Sequence, residues 1–439
     1  MKKITKKFIE YIGIFITVFS LLLMILLATM KIPRTAIEDN LKKSTEYFKN
    51  KEMVEMQVIR REYTYLHLYS ESVLLNIINY IDTSNVLESA MLDRYYESEA
   101  VDTNKDYINA VEENIEPNTQ YLRYWHGSMA ILRPCLILFS IQEIFNINYI
   151  IINILFLVLL IILLRKSKKL ALIYVISMIM VAFPIVGISL LYSWTFYIMM
   201  ITSIIAIFIE RKGNEDLYKL FFITGIITCF LDFLTTEIIT LYVPILFVML
   251  LRKERTQEFD FKDSFKFVLK ATIIWGIAYA SMFLAKWILA SIVLRTNALQ
   301  YVSDNLKLRI NGTEGVITLK EMYSKVIPLN FWTLYPICNI KGIKRQLKIL
   351  SIIVLTITIL IDWKKIRKSK YALLLIVIAI VPYIRYIILA NHSYKHFFFT
   401  YREQIISIIA LGMIICEYFN TKLWCKKISI NHLKKKKEK

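Results

Sequence analysis

The chain has 439 residues, 56% of them hydrophobic, and 55 Lys and Arg against 35 Asp and Glu give a formal net charge of +20. Apolar runs of membrane-spanning length exclude an ordinary soluble enzyme. The positive charge gives no reason to invoke nucleic acid, because membrane proteins concentrate Lys and Arg in their cytoplasmic loops.

In chain order, Met1-Lys2-Lys3-Ile4-Thr5-Lys6-Lys7 looks like the charged start of a signal peptide, but the apolar run at 8–30 is long and no small-x-small cleavage site follows it. It reads as an uncleaved first span. Nine more spans are expected at 147–164, 170–188, 193–209, 217–233, 237–251, 267–290, 347–361, 371–389 and 405–419. The expected fold is an all-α integral membrane protein of about ten transmembrane helices, one polytopic domain over 1–439.

Loop charge gives the orientation. With the N-terminus inside, the inner segments are 1–7, 165–169, 211–219, 252–266, 364–370 and 422–439, and each is rich in Lys or Arg. The Lys434–Lys437 tail reads as an anchor on anionic lipid. The short outer connections are nearly free of both residue types, so both termini are expected to be cytoplasmic in a cell-membrane protein. Two larger extracytoplasmic segments remain, 31–146 and 295–346.

Within the first of these, 54–69 mixes β-branched and aromatic residues with charges and reads as holding a strand. Leu74, Leu75, Ile77, Ile78 and Ile81 predict an amphipathic helix over 72–81. A second, lying on the membrane surface, is expected at 86–96, and 129–144 reads as interfacial or re-entrant. The five cysteines form no CxxC pair, so no metal or redox motif is expected. A Cys135–Cys338 disulfide is compatible with the outer location of both residues and has no other support.

Ionisable side chains near span ends carry the functional argument. Lys286, Arg385, Arg402, Asp232 and Glu237 all fall near outer ends of spans, and Arg123, His126 and Arg133 close the large loop. Any one of the basic residues is explained by snorkelling to the headgroups; together they point to an outward-facing basic cavity suited to an anion such as a lipid phosphate. His392 and His396 lie in a polar turn beside Arg402. Among the loop acids Glu71 stands out, because it opens the 72–81 helix, where N–H groups and the helix dipole hold a carboxylate. A first-turn Glu that merely starts a helix is the commoner role. Glu38 and Asp39, just beyond the first span, are rival bases, and solvated helix faces account for Asp82 and Asp93.

Four stretches carry family resemblances. Ser70-Glu71-Ser72-Val73-Leu74-Leu75 follows the first span, and Tyr124-Trp125-His126-Gly127-Ser128 precedes the second. This order resembles the GT-C superfamily, the membrane glycosyltransferases that use polyprenyl-phosphate-linked sugars. Leu231-Asp232-Phe233-Leu234-Thr235-Thr236-Glu237 and the stretch from Asn391 to Arg402 also resemble uncharacterised polytopic membrane proteins of low-GC Gram-positive bacteria. The resemblance implies a GT-C-like fold and an acid of the first outer loop as catalytic base, which is Glu71 here. The chain departs from the common pattern in having Gly127 where proline is usual and in lacking a second acid beside Glu71.

The expected function is transfer of a sugar from an outer-leaflet polyprenyl-phosphate donor to an envelope glycan or lipid acceptor. The loop acid acts as base and the basic groups stabilise the departing phosphate. The alternatives are a lipid or polysaccharide transporter, and a non-catalytic membrane protein of envelope assembly. A divalent cation is compatible with such a transfer, but the sequence indicates no metal site and no other cofactor.

Overall fold

Only ten Gly and eight Pro interrupt this chain, and helix dominates the result. The computed structural model describes residues 2–51, 54–56, 65–100, 102–311, 318–335, 337 and 342–420, with backbone alone for 2–4, 54–56, 65–67, 305–306 and 308–311. Cys338, Cys425 and the Lys434–Lys437 tail lie outside the described residues.

Helix α1 (Lys2–Met30) leads into the first segment expected to lie outside, which holds α2 (Glu38–Lys49), β1 (Val54–Met56), β2 (Tyr65–His67), α3 (Tyr69–Asn79), α4 (Val86–Met91), β3 (Asp93–Tyr95), α5 (Thr103–Glu112), β4 (Thr119–Tyr121) and α6 (Met129–Cys135). The bundle follows with α7 (Ile141–Lys166), α8 (Lys168–Met180), α9 (Phe183–Gly187), α10 (Leu190–Ile209), α11 (Asn214–Leu231), α12 (Ile239–Thr256) and α13 (Phe261–Leu294). The second segment expected to lie outside supplies α14 (Ala298–Asn311) and α15 (Leu319–Trp332). The chain then forms α16 (Ile343–Leu360), α17 (Trp363–Lys368), α18 (Lys370–Ile388), α19 (Ala390–Lys395), α20 (Phe397–Thr400) and α21 (Ile405–Tyr418).

Among the described residues, six helical stretches are long and apolar enough to cross a membrane: Thr5–Met30, α7, α10, α13, α18 and Phe397–Tyr418. The other four expected spans are α8, α11, α12 and α16. α8 has 13 residues. α11, α12 and α16 each have 18 residues, about 27 Å of helix, just short of the hydrocarbon core. Each also carries three or more charges at one end, such as Glu215, Asp216 and Lys219 in α11. Position in the bundle explains the composition of α12: every residue from Ile239 to Leu250 is buried, as expected of a helix apolar all round. α1 is the opposite case, with Phe8, Ile12, Ile16, Leu21 and Met24 exposed as an apolar stripe.

Two cores organise the fold. One joins α8, α10, α12, α18 and α21 through Tyr174, Phe196, Phe247, Leu375 and Ile409. The other ties the first outer segment to the bundle, placing Leu75, Ile78, Tyr107, Trp125 and Leu132 against Leu26, Ile226 and Met282 of α1, α11 and α13. Gly225 permits the closest helix approach, since a Cβ there would stand 2.6 Å from the Trp275 carbonyl oxygen of α13.

In the outer segment, the expected strand at 54–69 is an antiparallel pair, β1 with β2, and the helix predicted at 72–81 is α3, starting three residues earlier. The helix expected at 86–96 stops at Met91, and the chain turns into β3, which pairs antiparallel with β4 (Asp93 opposite Tyr121). The interfacial or re-entrant stretch at 129–144 resolves into α6 and the first turn of α7, where Ser140 and Glu143 form a reciprocal capping box. Cys135 is a free thiol.

Candidate functional site

The β3–β4 pairing creates the site. It sets Asp93 opposite Tyr121, and five residues further on the chain reaches His126. The loop after β4 is fixed to α13 by two indoles: Trp125 Nε1 donates to the Met282 carbonyl at 2.9 Å, and Trp287 Nε1 donates to the Arg123 carbonyl at 3.2 Å. His126 adopts φ +47°, a left-handed conformation uncommon for a residue with a side chain. Gly127 follows because no other residue fits: its N–H donates to the Phe230 carbonyl at 3.0 Å, and a Cβ would stand 2.4 Å from that oxygen. A proline here would lose the donor as well.

His126 Nδ1 lies 2.7 Å from Asp93 Oδ2, with both side chains buried. Lys286, wholly buried, donates to the Ala90 carbonyl at 2.6 Å and lies 4.0 Å from Asp93 Oδ2. The reading of Asp93 as a residue of a solvated helix face is therefore corrected: it stands on a strand, 1% exposed. Lys286, Arg385 and Arg402 are buried too, so snorkelling does not describe them.

A cavity of about 390 Å³ opens in front of His126. Its lining mixes polar residues, Arg123, His126, Thr235, His392, Lys395 and His396, with aromatic ones, among them Tyr69, Tyr95, Tyr121, Tyr124, Phe233 and Phe399. The His126 ring packs between Tyr121 and Phe233, with centroids 5.0 and 5.1 Å away. Arg123 lies over the Tyr121 and Tyr124 rings. α19 and the turn into α20 bring the His392 and His396 rings to 4.8 Å, and His396 stacks on Phe399.

The remaining expected residues lie outside this lining. Glu71 is 2% exposed, and its Oε1 accepts from the Ser189 hydroxyl at 2.8 Å and from the Leu191 N–H at 3.2 Å. It caps α10 across the structure as well as opening α3, while its neighbours Tyr69, Ser70 and Leu191 line the cavity. Glu71 Oε2 is buried without a hydrogen-bond partner. Burial pushes the Glu71 carboxyl above the usual carboxylate range, against the Ser189 and Leu191 hydrogen bonds. Glu38 pairs with Lys42 at 2.8 Å in the first turn of α2, and Asp39 beside it is exposed.

Arg385 is committed within the protein. Nε and Nη2 hold the Glu237 carboxylate at 3.0 and 3.1 Å, Nη1 donates to Ser393 Oγ at 3.0 Å, and Nη2 also reaches the Leu234 carbonyl at 2.9 Å. Glu403 approaches the same guanidinium at 3.0 Å. Asp232 accepts from the Thr235 backbone N–H and hydroxyl. Arg133 clamps carbonyls, donating to Ile78 at 2.6 Å and to Ile32, and its burial without an acid pushes its pKa down to about 10. Arg402 lies between the Tyr192 and Tyr401 rings, behind the cavity wall, and donates to the Phe398 carbonyl.

Sequence reasoning missed Asp93 and Lys395. Lys395 stands in the same Asn391–Arg402 stretch as His392 and His396, one helical turn from His392. The buried, exposed, buried alternation of Asp93-Arg94-Tyr95 exists only in the folded chain, where it places Asp93 on the inner face of β3. Among the described residues no group of three or more His, Cys, Asp or Glu could hold a metal ion. Comparisons with family models, with curated proteins and with solved structures give no match.

Proposed function

We propose that the chain is a membrane glycosyltransferase that takes a sugar from an outer-leaflet polyprenyl-phosphate donor and passes it to an envelope glycan or lipid acceptor. The observation that supports this reading is the mixed cationic and aromatic lining of the cavity. Arg123 and Lys395 offer charge and directed donors to a phosphate, and the tyrosine and phenylalanine wall accepts sugar faces and the first prenyl unit. A free sugar alone needs no such cationic wall, and a free inorganic anion needs no such aromatic one.

In this proposal α8, α11, α12 and α16 complete a set of ten crossings, both termini are cytoplasmic, and 31–146 and 295–346 lie outside. Loop charge supports that orientation. The cavity then opens on the face where a flipped lipid-linked sugar is presented.

One experiment tests orientation and ligand together. Ser70→Cys, in a chain whose five native cysteines are replaced, puts a thiol on the cavity wall. In right-side-out vesicles it should react with a membrane-impermeant maleimide, and farnesyl phosphate should slow that reaction. Labelling that requires the vesicles to be opened, or that ignores farnesyl phosphate, contradicts the proposal.

A further inference from the structure

Asp93, His126 and Lys286 form a buried row of ionisable groups that ends at the cavity wall. We infer that His126 is the proton acceptor of the transfer step and that Asp93 is its positioning residue; this rests on the cavity being a glycosyl-transfer site.

The geometry carries the assignment. An ionised carboxylate only accepts, so the 2.7 Å contact makes His126 Nδ1 the donor to Asp93 Oδ2. Nε2 is then the unprotonated nitrogen of a ring that lines the cavity. The Tyr121 and Phe233 rings pack against the imidazole, with centroids 5.0 and 5.1 Å away, and help hold its orientation. Asp93 is 1% exposed, which is expensive for a lone carboxylate, and the wholly buried Lys286 at 4.0 Å offsets its charge. Asp93 therefore has a second basic neighbour in Lys286 and does not depend on His126 alone.

A purely structural Asp–His bond would account for the distance, but not for an imidazole on the wall of the cavity. Nor would it account for a left-handed backbone at His126, held by the Gly127 N–H on the Phe230 carbonyl. Glu71, the acid expected from the sequence, has its carboxyl turned onto the start of α10, one layer behind the wall.

The step balances. The acceptor hydroxyl oxygen bonds to the anomeric carbon as its proton passes to His126 Nε2. The bond from that carbon to the lipid-phosphate oxygen breaks, and its electron pair leaves on the phosphate, which Arg123 and Lys395 face across the same cavity. The imidazolium, still hydrogen-bonded to Asp93, returns its proton to water.

The test uses full-length protein in vesicles. The probes are farnesyl phosphate for binding and, for turnover, the prenyl-phosphate-linked sugar pool of a strain lacking the gene. His126→Gln and Asp93→Asn should each lower turnover by roughly 10²–10⁴-fold, the usual contribution of general-base catalysis, with farnesyl phosphate affinity unchanged. In ¹⁵N-histidine spectra Asp93→Asn should remove the strongly hydrogen-bonded Nδ1–H signal of His126, a change that mere loosening of the loop does not produce. Should His126→Gln fail to fold, Asp93→Asn carries the test alone. Full turnover in the folded variants overturns the role of His126 and leaves the transferase reading intact. Wild-type protein that neither transfers sugar nor binds farnesyl phosphate overturns that reading, and this inference with it.

Discussion

Replacing Arg385 by alanine should cost about 3–5 kcal/mol of stability, the penalty typical of removing one partner from a buried ion pair. The guanidinium is 6% exposed, holds both oxygens of Glu237 and faces Glu403 at 3.0 Å. Its loss leaves two buried carboxyls facing each other without a counter-charge. Thermal unfolding in detergent measures the effect. Arg385→Ala combined with Glu237→Ala should be less destabilised than the sum of the two single changes, because the second removes one of the stranded acids. A single variant within about 1 kcal/mol of wild type, the ordinary worth of an exposed pair, would show that the network contributes little.

Glu71→Gln separates two roles that the sequence alone could not. As a cap on α10, Glu71 uses its Oε1, which an amide oxygen replaces. Turnover should therefore stay near wild type, whereas a Glu71 acting as base predicts a fall of roughly 10²–10⁴-fold. The pH dependence of stability has a defined sign. Burial raises the folded-state pKa of this carboxyl, in the outer segment, above its ordinary value of 4.5. The folded state then holds the proton more tightly than the unfolded chain. The group's stabilising contribution is complete below the unfolded pKa and is lost as pH rises through the folded pKa, by about 1.4 kcal/mol per pH unit within that window. Gln does not titrate, so the stability of Glu71→Gln relative to wild type should improve as pH rises from the unfolded pKa to the folded one and level off above it. A gap independent of pH would mean that Glu71 titrates alike in both states.

Most of the helices were legible because their signal is local. Apolar runs of sufficient length located every one of the six candidate spans, and Leu74 to Ile81 located α3 to within a few residues. The other four expected spans are helices as well, but α8 is short and α11, α12 and α16 each carry charges at one end, so length and composition alone do not make them crossings. The site was legible as a collection of residue types and not as a geometry. His126, His392 and His396 do meet at one cavity, but from segments far apart in sequence. Arg385 and Arg402 have the same chemistry in the sequence; only the folded chain shows Arg385 held by Glu237, a residue 148 positions away, and Arg402 held between tyrosine rings. Asp93 was missed for a related reason. Its burial depends on pairing with β4 and on Lys286 of α13, and neither partner leaves a trace in the local pattern around residue 93.

The central claim is that this cavity moves a sugar from a prenyl phosphate to the cell envelope. Mass spectrometry of envelope glycans and lipid-linked intermediates, in cells with and without the gene, tests it most directly. The account predicts that deletion removes one sugar from an envelope glycan or glycolipid and enlarges the pool of its prenyl-phosphate-linked donor. Wild-type protein should restore both; His126→Gln should restore neither. Glycans and donor pools identical in the two strains, with the protein demonstrably present in the wild type, would contradict it.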